Sequence, residues 1–345
     1  MRITFHGLRG GRGEPYGLTD MEIISKKCSR RVNILLTRRS TGLCSIGVLS
    51  LLLATSACGS AADAGPGSNG AAPGGGTSLS VVASTNVYGD VVKQIAGDKV
   101  DVTSIISDPD ADPHSYEANS RTQLQLSKAD VVVENGGGYD DFLDTMLKAA
   151  NNPGATVLNV VDISGKKAPS GGELNEHVWY DFPTVEKLVT ELVSTLSAKD
   201  PADASAFRAG GTAFTAKLKQ LESTEASIKA AHAGVGVAIT EPVPLYLLEA
   251  CGLVNRTPNE FSEAIEEGTD VSPSVLSETL DLFSQKKVSL LAYNEQTSGP
   301  ETEKVQDAAA AAKIAVVPVT ETLPAGKDYV SWMSGTLSAI QTALG

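Results

Sequence analysis

The 345-residue chain contains 28 basic and 41 acidic residues, and 41% of its residues are hydrophobic. The formal net charge of −13 makes nucleic acid a poor partner, and the composition excludes disordered, collagen-like and multi-span membrane proteins. The charge is uneven: the first 57 residues contain nine Lys or Arg and three Asp or Glu, which leaves 19 basic and 38 acidic residues, a net charge of −19, in the rest. A basic head therefore precedes an acidic body that is long enough for two domains.

The basic head has the features of an export signal. Arg38 and Arg39 precede a charge-free stretch over residues 42–57, which is too short to span a bilayer but is typical of the apolar region of a signal peptide. The segment Ala57-Cys58-Gly59 resembles a bacterial lipoprotein box, in which the cysteine carries a lipid. We predict that residues 1–57 are a lipoprotein-type export signal with an over-long start over residues 1–20, and that Cys58 is lipidated.

A flexible tether is predicted next, over residues 58–78. After Cys58 this segment contains Gly, Ala and Ser with no core-forming side chain, a composition that behaves as a flexible coil. Cys251 is the one cysteine beyond the tether, so no disulfide can form within the body.

From residue 79 onward, short β-branched runs alternate with helical periodicity, as in α/β proteins. The runs predict strands over 79–86, 100–106, 130–133, 156–160, 235–239, 289–293 and 315–319. Apolar spacing and proline or serine at helix starts predict helices over 140–150, 184–196, 244–250, 273–285 and 300–312.

A longer helix is predicted between the two halves. Phe207, Phe214, Leu218 and Leu221 recur at roughly heptad intervals within residues 200–233, with the glycine pair Gly210-Gly211 as the weak point of such a helix. The predicted fold is α/β, with two Rossmann-like lobes at 79–199 and 234–345 joined by a single long rigid helix.

Two histidines of the body lie in turn-like acidic segments that could bind a metal. His114 lies within DADPHSYE and His177 within NEHVWYD, and imidazole nitrogen is a common ligand of Zn²⁺ and other first-row metals. A calcium loop starting at Asp108 is excluded, because such a loop needs Gly at its sixth position and Glu at its twelfth, where this chain has Pro113 and Asn119.

The order of these motifs resembles the zinc/manganese solute-binding proteins of ABC importers, a family of metal-binding lipoproteins sometimes labelled adhesin-like. The resemblance is carried by Asp112-Pro113-His114-Ser115-Tyr116-Glu117, by His177-Val178-Trp179-Tyr180-Asp181 and by Ile239-Thr240-Glu241-Pro242, on either side of the long helix. It covers residues 79–345 and implies two lobes that enclose one metal ion in the cleft between them.

The resemblance also implies a set of ligands. His114 and His177 match the first two and Glu241 matches the third, while the fourth stays open: Glu295 is the candidate by its chemistry, and the alternatives are Asn294, Thr297 and Ser298. Two imidazoles and one or two carboxylates without a thiolate suit Mn²⁺, Fe²⁺ or Zn²⁺. Glu241 in the third position, and the absence of His from residues 164–176, favour manganese.

The implied function is transport. The resemblance implies a monomer anchored by lipid at the extracytoplasmic face of a bacterial cell membrane, periplasmic or on the cell surface. This monomer would capture Zn²⁺ or Mn²⁺, with Fe²⁺ as an alternative, and deliver the ion to a permease and its ATPase. It implies no enzymatic activity. One alternative is a mononuclear metallohydrolase, which would need an open coordination position and a general base such as Glu176 or Glu117. The family label suggests the other, a surface adhesin.

Overall fold

The computed structural model describes residues 78–345 apart from residues 112, 118, 170 and 171. The predicted export signal, Cys58 and the tether up to residue 77 lie outside the described residues. Within the described part of the chain, no helix is both long and apolar enough to cross a membrane.

The first lobe is built on a four-stranded parallel sheet. Its strands are β1 (Leu79–Thr85), β2 (Val100–Ile106), β3 (Val131–Glu134) and β4 (Thr156–Asn159), in the order β2-β1-β3-β4. Alternate residues of the central strands enter two different apolar clusters, so both faces of the sheet are covered. The helices of this lobe are α1 (Asn86–Ala96), α2 (Ser120–Leu126), α3 (Phe142–Ala150), α4 (Val160–Ser164) and α5 (Phe182–Lys199).

Helix α6 (Ala204–His232) follows, and with 29 residues it is about 44 Å long. Gly210 and Gly211 do not interrupt it. A Cβ atom on Gly210 would lie 1.9 Å from the carbonyl oxygen of Ile95, and one on Gly211 would lie 2.5 Å from Cγ2 of Val193. The glycine pair therefore allows α6 to lie close against α1 and α5.

The second lobe repeats the strand order of the first. Its parallel strands are β5 (Gly236–Ile239), β6 (Val254–Asn255), β7 (Leu290–Asn294) and β8 (Ala315–Val319), in the order β6-β5-β7-β8. Its helices are α7 (Leu245–Ala250), α8 (Asn259–Glu266), α9 (Pro273–Ser284), α10 (Pro300–Ala312) and α11 (Tyr329–Leu344). The predicted fold class, α/β with two parallel-sheet lobes, is confirmed.

Apolar packing and hydrogen bonds join the two lobes. One buried cluster contains side chains from both lobes and from α6, and α11 packs against α6 and α1. Asn86 in the first lobe exchanges two hydrogen bonds with the backbone of Leu323 (2.8 and 3.0 Å), and the hydroxyl of Tyr180 donates to the carbonyl of Thr320 at 2.8 Å. The segment after β8 is therefore held directly against the first lobe.

Candidate metal site

Each histidine of the first lobe lies in a loop near a short turn of 3₁₀ helix. His114 lies in the turn Pro113–Ser115 beyond β2, and His177 precedes the turn Val178–Tyr180 that leads into α5. The side-chain oxygen of Asn175 accepts a hydrogen bond from the backbone amide of His177 (3.0 Å) and lies 2.8 Å from its Nδ1. An acceptor at Nδ1 places the proton of a neutral imidazole there, which leaves the Nε2 lone pair free for a metal.

Aromatic rings fix the orientation of both imidazoles. The ring of Tyr139 lies edge-on to His114, with centroids 5.2 Å apart, and Trp179 lies edge-on to His177 at 5.1 Å. Tyr139 and Trp179 also contact each other, with ring centroids 4.9 Å apart. His177 is fully buried, and this packing leaves its ring little freedom to turn.

Glu321 brings a carboxylate from the second lobe to these histidines. Its Oε2 lies 3.4 Å from Nε2 of His114 and 3.9 Å from Nε2 of His177, and its side chain is 1% exposed. Among the described residues, neither Nε2 of His177 nor Oε2 of Glu321 has a hydrogen-bond partner, although both atoms are buried. Buried polar atoms without a partner are rare and costly, and a cation between these two would satisfy both.

Glu241 lies at the carboxyl end of β5 and is 2% exposed. The hydroxyl of Thr297 donates to its Oε2 at 2.6 Å, and the side-chain amide of Asn294 donates to the same oxygen. The Asn294 amide also donates to Oε1 of Glu321 at 3.0 Å. Asn294 therefore bridges two buried carboxylates, and Glu241 interacts electrostatically with both Glu321 and His177.

The charges of this cluster are strongly coupled. Burial alone would lower the pKa of His114 and of His177, but close contact with the Glu321 carboxylate outweighs burial and raises the pKa of both. Burial alone would raise the pKa of Glu321, and contact with the two imidazoles lowers it instead. Burial raises the pKa of Glu241 to about 7. The site is therefore rich in acidic groups that favour a positive partner.

The structure brings His114, His177 and Glu241 together with Glu321, and it places Glu295 elsewhere. The side chain of Glu295, in the bend directly after β7, is exposed, whereas Asn294, the last residue of β7, is buried and contacts Glu241 and Glu321. Thr297 contacts Glu241, whereas Ser298 is exposed. Asn294 and Thr297 thus position a carboxylate in this structure.

Glu321 was not among the site residues predicted from the sequence. Residues 315–319 are predicted as a strand, and Glu321 lies two residues beyond that strand. Open α/β sheets bind ligands at the carboxyl ends of their strands. Applied to β8 as it is applied to β5, this rule would have found Glu321.

Two more carboxylates approach the histidines from a neighbouring cavity. Oε1 of Glu266, the last residue of α8, lies 3.4 Å from Nε2 of His177, and one ligand atom from each of His114, Glu176, His177 and Glu266 lies within 4.8 Å of the others. The cavity has a volume of about 680 Å³ and reaches His114. Six glutamates line it: Glu173, Glu176, Glu249, Glu263, Glu266 and Glu267.

This arrangement combines imidazole nitrogen and carboxylate oxygen, with His177, Glu241 and Glu321 buried and His114 partly exposed. Such a donor set suits Zn²⁺, Mn²⁺ or Fe²⁺, whereas a site that selects Cu(I) would contain thiolates or thioethers. The single cysteine among the described residues, Cys251, is buried and lies outside this cluster.

The chain matches one protein family over most of its length. The family model for the zinc-uptake complex component A, periplasmic (ZnuA), matches residues 81–343. The metal ABC transporter substrate-binding lipoprotein SloC of Streptococcus mutans is 25% identical over 282 residues, which cover 77% of this chain and 90% of SloC.

Two solved structures share the fold. A crystal structure of ZnuA superimposes with a TM-score of 0.64 at 20% identity, covering 77% of this chain and 98% of that one. The solute-binding protein FpvC of Pseudomonas aeruginosa, in complex with Mn²⁺, gives a TM-score of 0.64 at 22% identity, with the same coverage of both chains.

Proposed function

Because the chain belongs to the zinc-uptake complex component A family, we propose that it is the extracytoplasmic solute-binding subunit of an ABC importer. It captures one divalent transition metal ion, Zn²⁺ or Mn²⁺, and delivers the ion to a membrane permease that is driven by an ATPase subunit. Binding and release are its whole task, and it catalyses no reaction.

We propose His114, His177, Glu241 and Glu321 as the ligands of this ion. The observation that carries the assignment is the pair of buried atoms without hydrogen bonds, Nε2 of His177 and Oε2 of Glu321, which face each other at 3.9 Å. Ligand atoms bound at about 2.0–2.2 Å to one ion lie roughly 3–4 Å apart. The distances from Glu321 to both histidines fall in that range.

Elemental analysis and metal-competition titration of the purified protein test this assignment. We expect one ion per chain, and we expect Glu321→Gln and His114→Ala each to weaken binding at least about a hundredfold, because each removes a direct ligand. Glu295→Gln is the matched control, since Glu295 is an exposed carboxylate of the same lobe, and should bind as the parent does. Stoichiometric binding that survives Glu321→Gln and is lost in Glu295→Gln would reverse the assignment.

The remaining parts of the proposal concern the partners and the location. We place the protein at the outer face of a bacterial cell membrane as a monomer, attached through lipid on Cys58, with no nucleic acid partner. SloC, which is named a lipoprotein, supports the anchor. Labelling of cells with a radioactive fatty acid should mark the parent protein and leave a Cys58→Ala variant unlabelled.

The two alternatives from the sequence analysis have no supporting observation among the described residues. A hydrolase needs a coordination position open to water with a general base beside it, and the relatives that this chain matches are named as metal-transport proteins. An adhesin needs a binding patch, and the described surface shows two isolated exposed large hydrophobic residues, Leu124 and Val157.

A further inference from the structure

Glu266 lies outside the ligand set proposed above, yet it contacts a member of that set. Its Oε1 is 3.4 Å from Nε2 of His177, and this oxygen is buried without a hydrogen bond among the described residues. His177 itself is fully buried, and the same Nε2 atom lacks a hydrogen-bond partner. Two buried polar atoms, one from each lobe, therefore face each other without a hydrogen bond.

The position of Glu266 is fixed by the packing of α8. Phe261, five residues earlier in the helix, is fully buried in the core of the second lobe, and Ile265 packs against the same cluster. The helix ends directly after Glu266, where the backbone amide of Thr269 bonds to the carbonyl of Ala264 and Gly268 adopts a positive φ of 62°. The Glu266 carboxylate thus reaches His177 from a short helix that is packed through Phe261 and Ile265 and closed by hydrogen bonds at its C-terminal end.

The distances allow one ion to contact Glu266 together with the other ligands. The separation of Glu266 from His177, 3.4 Å, equals that of Glu321 from His114, and Glu321 lies 3.9 Å from His177. A ligand atom of His114 lies within 4.8 Å of one from Glu266. These separations are close to those between neighbouring ligands on a shared metal ion.

The charges of the side chains around the two histidines also favour a bound cation. Glu241, Glu266 and Glu321 converge on two imidazoles, and the described residues place no Lys or Arg in an ion pair with any of the three. Buried carboxylates in excess are unfavourable unless a cation compensates them. A divalent cation at this point would do so.

We propose that Glu266 is an additional ligand of the bound ion and that it biases the site towards Mn²⁺ relative to Zn²⁺. This inference rests on the proposed function and adds a ligand to it. Zn²⁺ is satisfied by four tetrahedral ligands, so the four ligands already proposed suffice for it, whereas Mn²⁺ takes more ligands and prefers carboxylate oxygen. Removing Glu266 therefore harms Mn²⁺ binding more than Zn²⁺ binding.

The test compares Glu266→Gln with Glu263→Gln in the complete exported protein, by competition titration with Mn²⁺ and with Zn²⁺. Glu263 is on the same helix and lines the same cavity, but it is not part of the cluster around the histidines, so it controls for a general loss of negative charge. We expect Glu266→Gln to raise the Kd for Mn²⁺ at least about tenfold and the Kd for Zn²⁺ by less than about threefold. Glu263→Gln should leave both near the parent values.

Each other outcome is informative. If Glu266→Gln and Glu263→Gln behave alike, or if Glu266→Gln weakens both metals equally, the added ligand and its selectivity are overturned while the proposed function stands. If the parent protein binds neither metal, the proposed function itself fails. If the metal-free Glu266→Gln variant melts at a much lower temperature than the parent, Glu266→Asp is used in its place. The aspartate keeps the negative charge, but its carboxylate is one methylene further from the ion. It must show the same preferential loss of Mn²⁺ binding.

Discussion

At the scale of single residues, Asn294 offsets the repulsion between two buried carboxylates, Glu241 and Glu321. Glu241 and Glu321 are 2% and 1% exposed, and two ionised carboxylates at such buried positions would repel each other strongly. The side-chain amide of Asn294 donates one hydrogen bond to each, so one neutral group holds both in place. Asn294 is thereby a positioning residue that sets the distance between two of the proposed ligands.

We expect Asn294→Ala to weaken metal binding by about 10–100-fold, the usual cost of losing a hydrogen bond that orients a ligand. Competition titration measures the loss, and Ser298→Ala, an exposed change in the same loop, should cause none. Thermal melting without metal separates this effect from unfolding. Parent-like affinity in a folded Asn294→Ala protein would show that the two carboxylates are positioned without it.

The proposed ligands were only partly predictable from sequence. His114 and Glu241 lie close to the ends of strands β2 and β5, and both the motif and the strand-end rule point to them. Glu321 belongs to no motif that the sequence analysis used, and Glu266 reaches His177 only because the two lobes lie against each other. Contacts of that kind depend on tertiary packing, which a local pattern does not encode.

At the scale of secondary-structure elements, helix α6 contains an unusual buried group. Glu225 is 5% exposed, and its Oε1 has no hydrogen bond among the described residues. Burial, together with the charges of Glu222 and Asp181, raises the pKa of Glu225 from its ordinary 4.5 to about 8. The folded protein therefore holds this proton more tightly than the unfolded chain does.

This difference predicts how stability depends on pH. Between about pH 4.5 and 8 the folded state binds more protons at Glu225 than the unfolded state, so its contribution to stability is complete below that window and is lost as pH rises through it. A Glu225→Gln variant stays neutral, and its melting temperature should exceed that of the parent by a margin that grows to a few degrees by pH 8. Melting curves at several pH values test this. Glu191→Gln, an exposed change on α5, should show no such trend.

The elements themselves were largely predictable, for local physical reasons. Strands buried on both faces require continuous apolar runs, and helices such as α9 begin with a capping serine and a proline, so both leave clear traces in the sequence. Helices α1, α2, α4, α8 and α11 and the two-residue strand β6 were not predicted. Helix α8 has eight residues, and α11 is defined largely by packing against α6 and α1.

At the scale of the whole molecule, the contacts between the lobes gather around the metal site. The side-chain amide of Gln296, in the second lobe, donates to the carbonyls of Pro109 and Ala111 in the first lobe, at 3.1 and 2.8 Å. The side-chain oxygen of the same residue accepts a hydrogen bond from the backbone amide of Glu321 at 2.5 Å. Gln296 therefore links the segment before His114 to the segment that contains Glu321.

We expect these links, together with α6, to keep the lobes close whether or not metal is bound. Small-angle X-ray scattering profiles of the metal-free and metal-loaded protein should superimpose within error, because α6 and α11 pack across both lobes and leave no free hinge. The His114→Ala variant, treated with the same metal, provides the reference for a protein that does not load. A clear fall in the radius of gyration on loading the parent would contradict this prediction and indicate domain rotation.

The short segment from Thr320 to Leu323 has a mechanical consequence for unloading. It contains Glu321, and on either side of Glu321 it is bonded to the first lobe through Tyr180 and Asn86. Any partner that pulls this segment away from the first lobe must also withdraw Glu321 from both histidines. Separation of the lobes along this segment and weaker binding of the ion would then occur in one movement. A permease surface that docks on this segment could release the ion without entering the cleft.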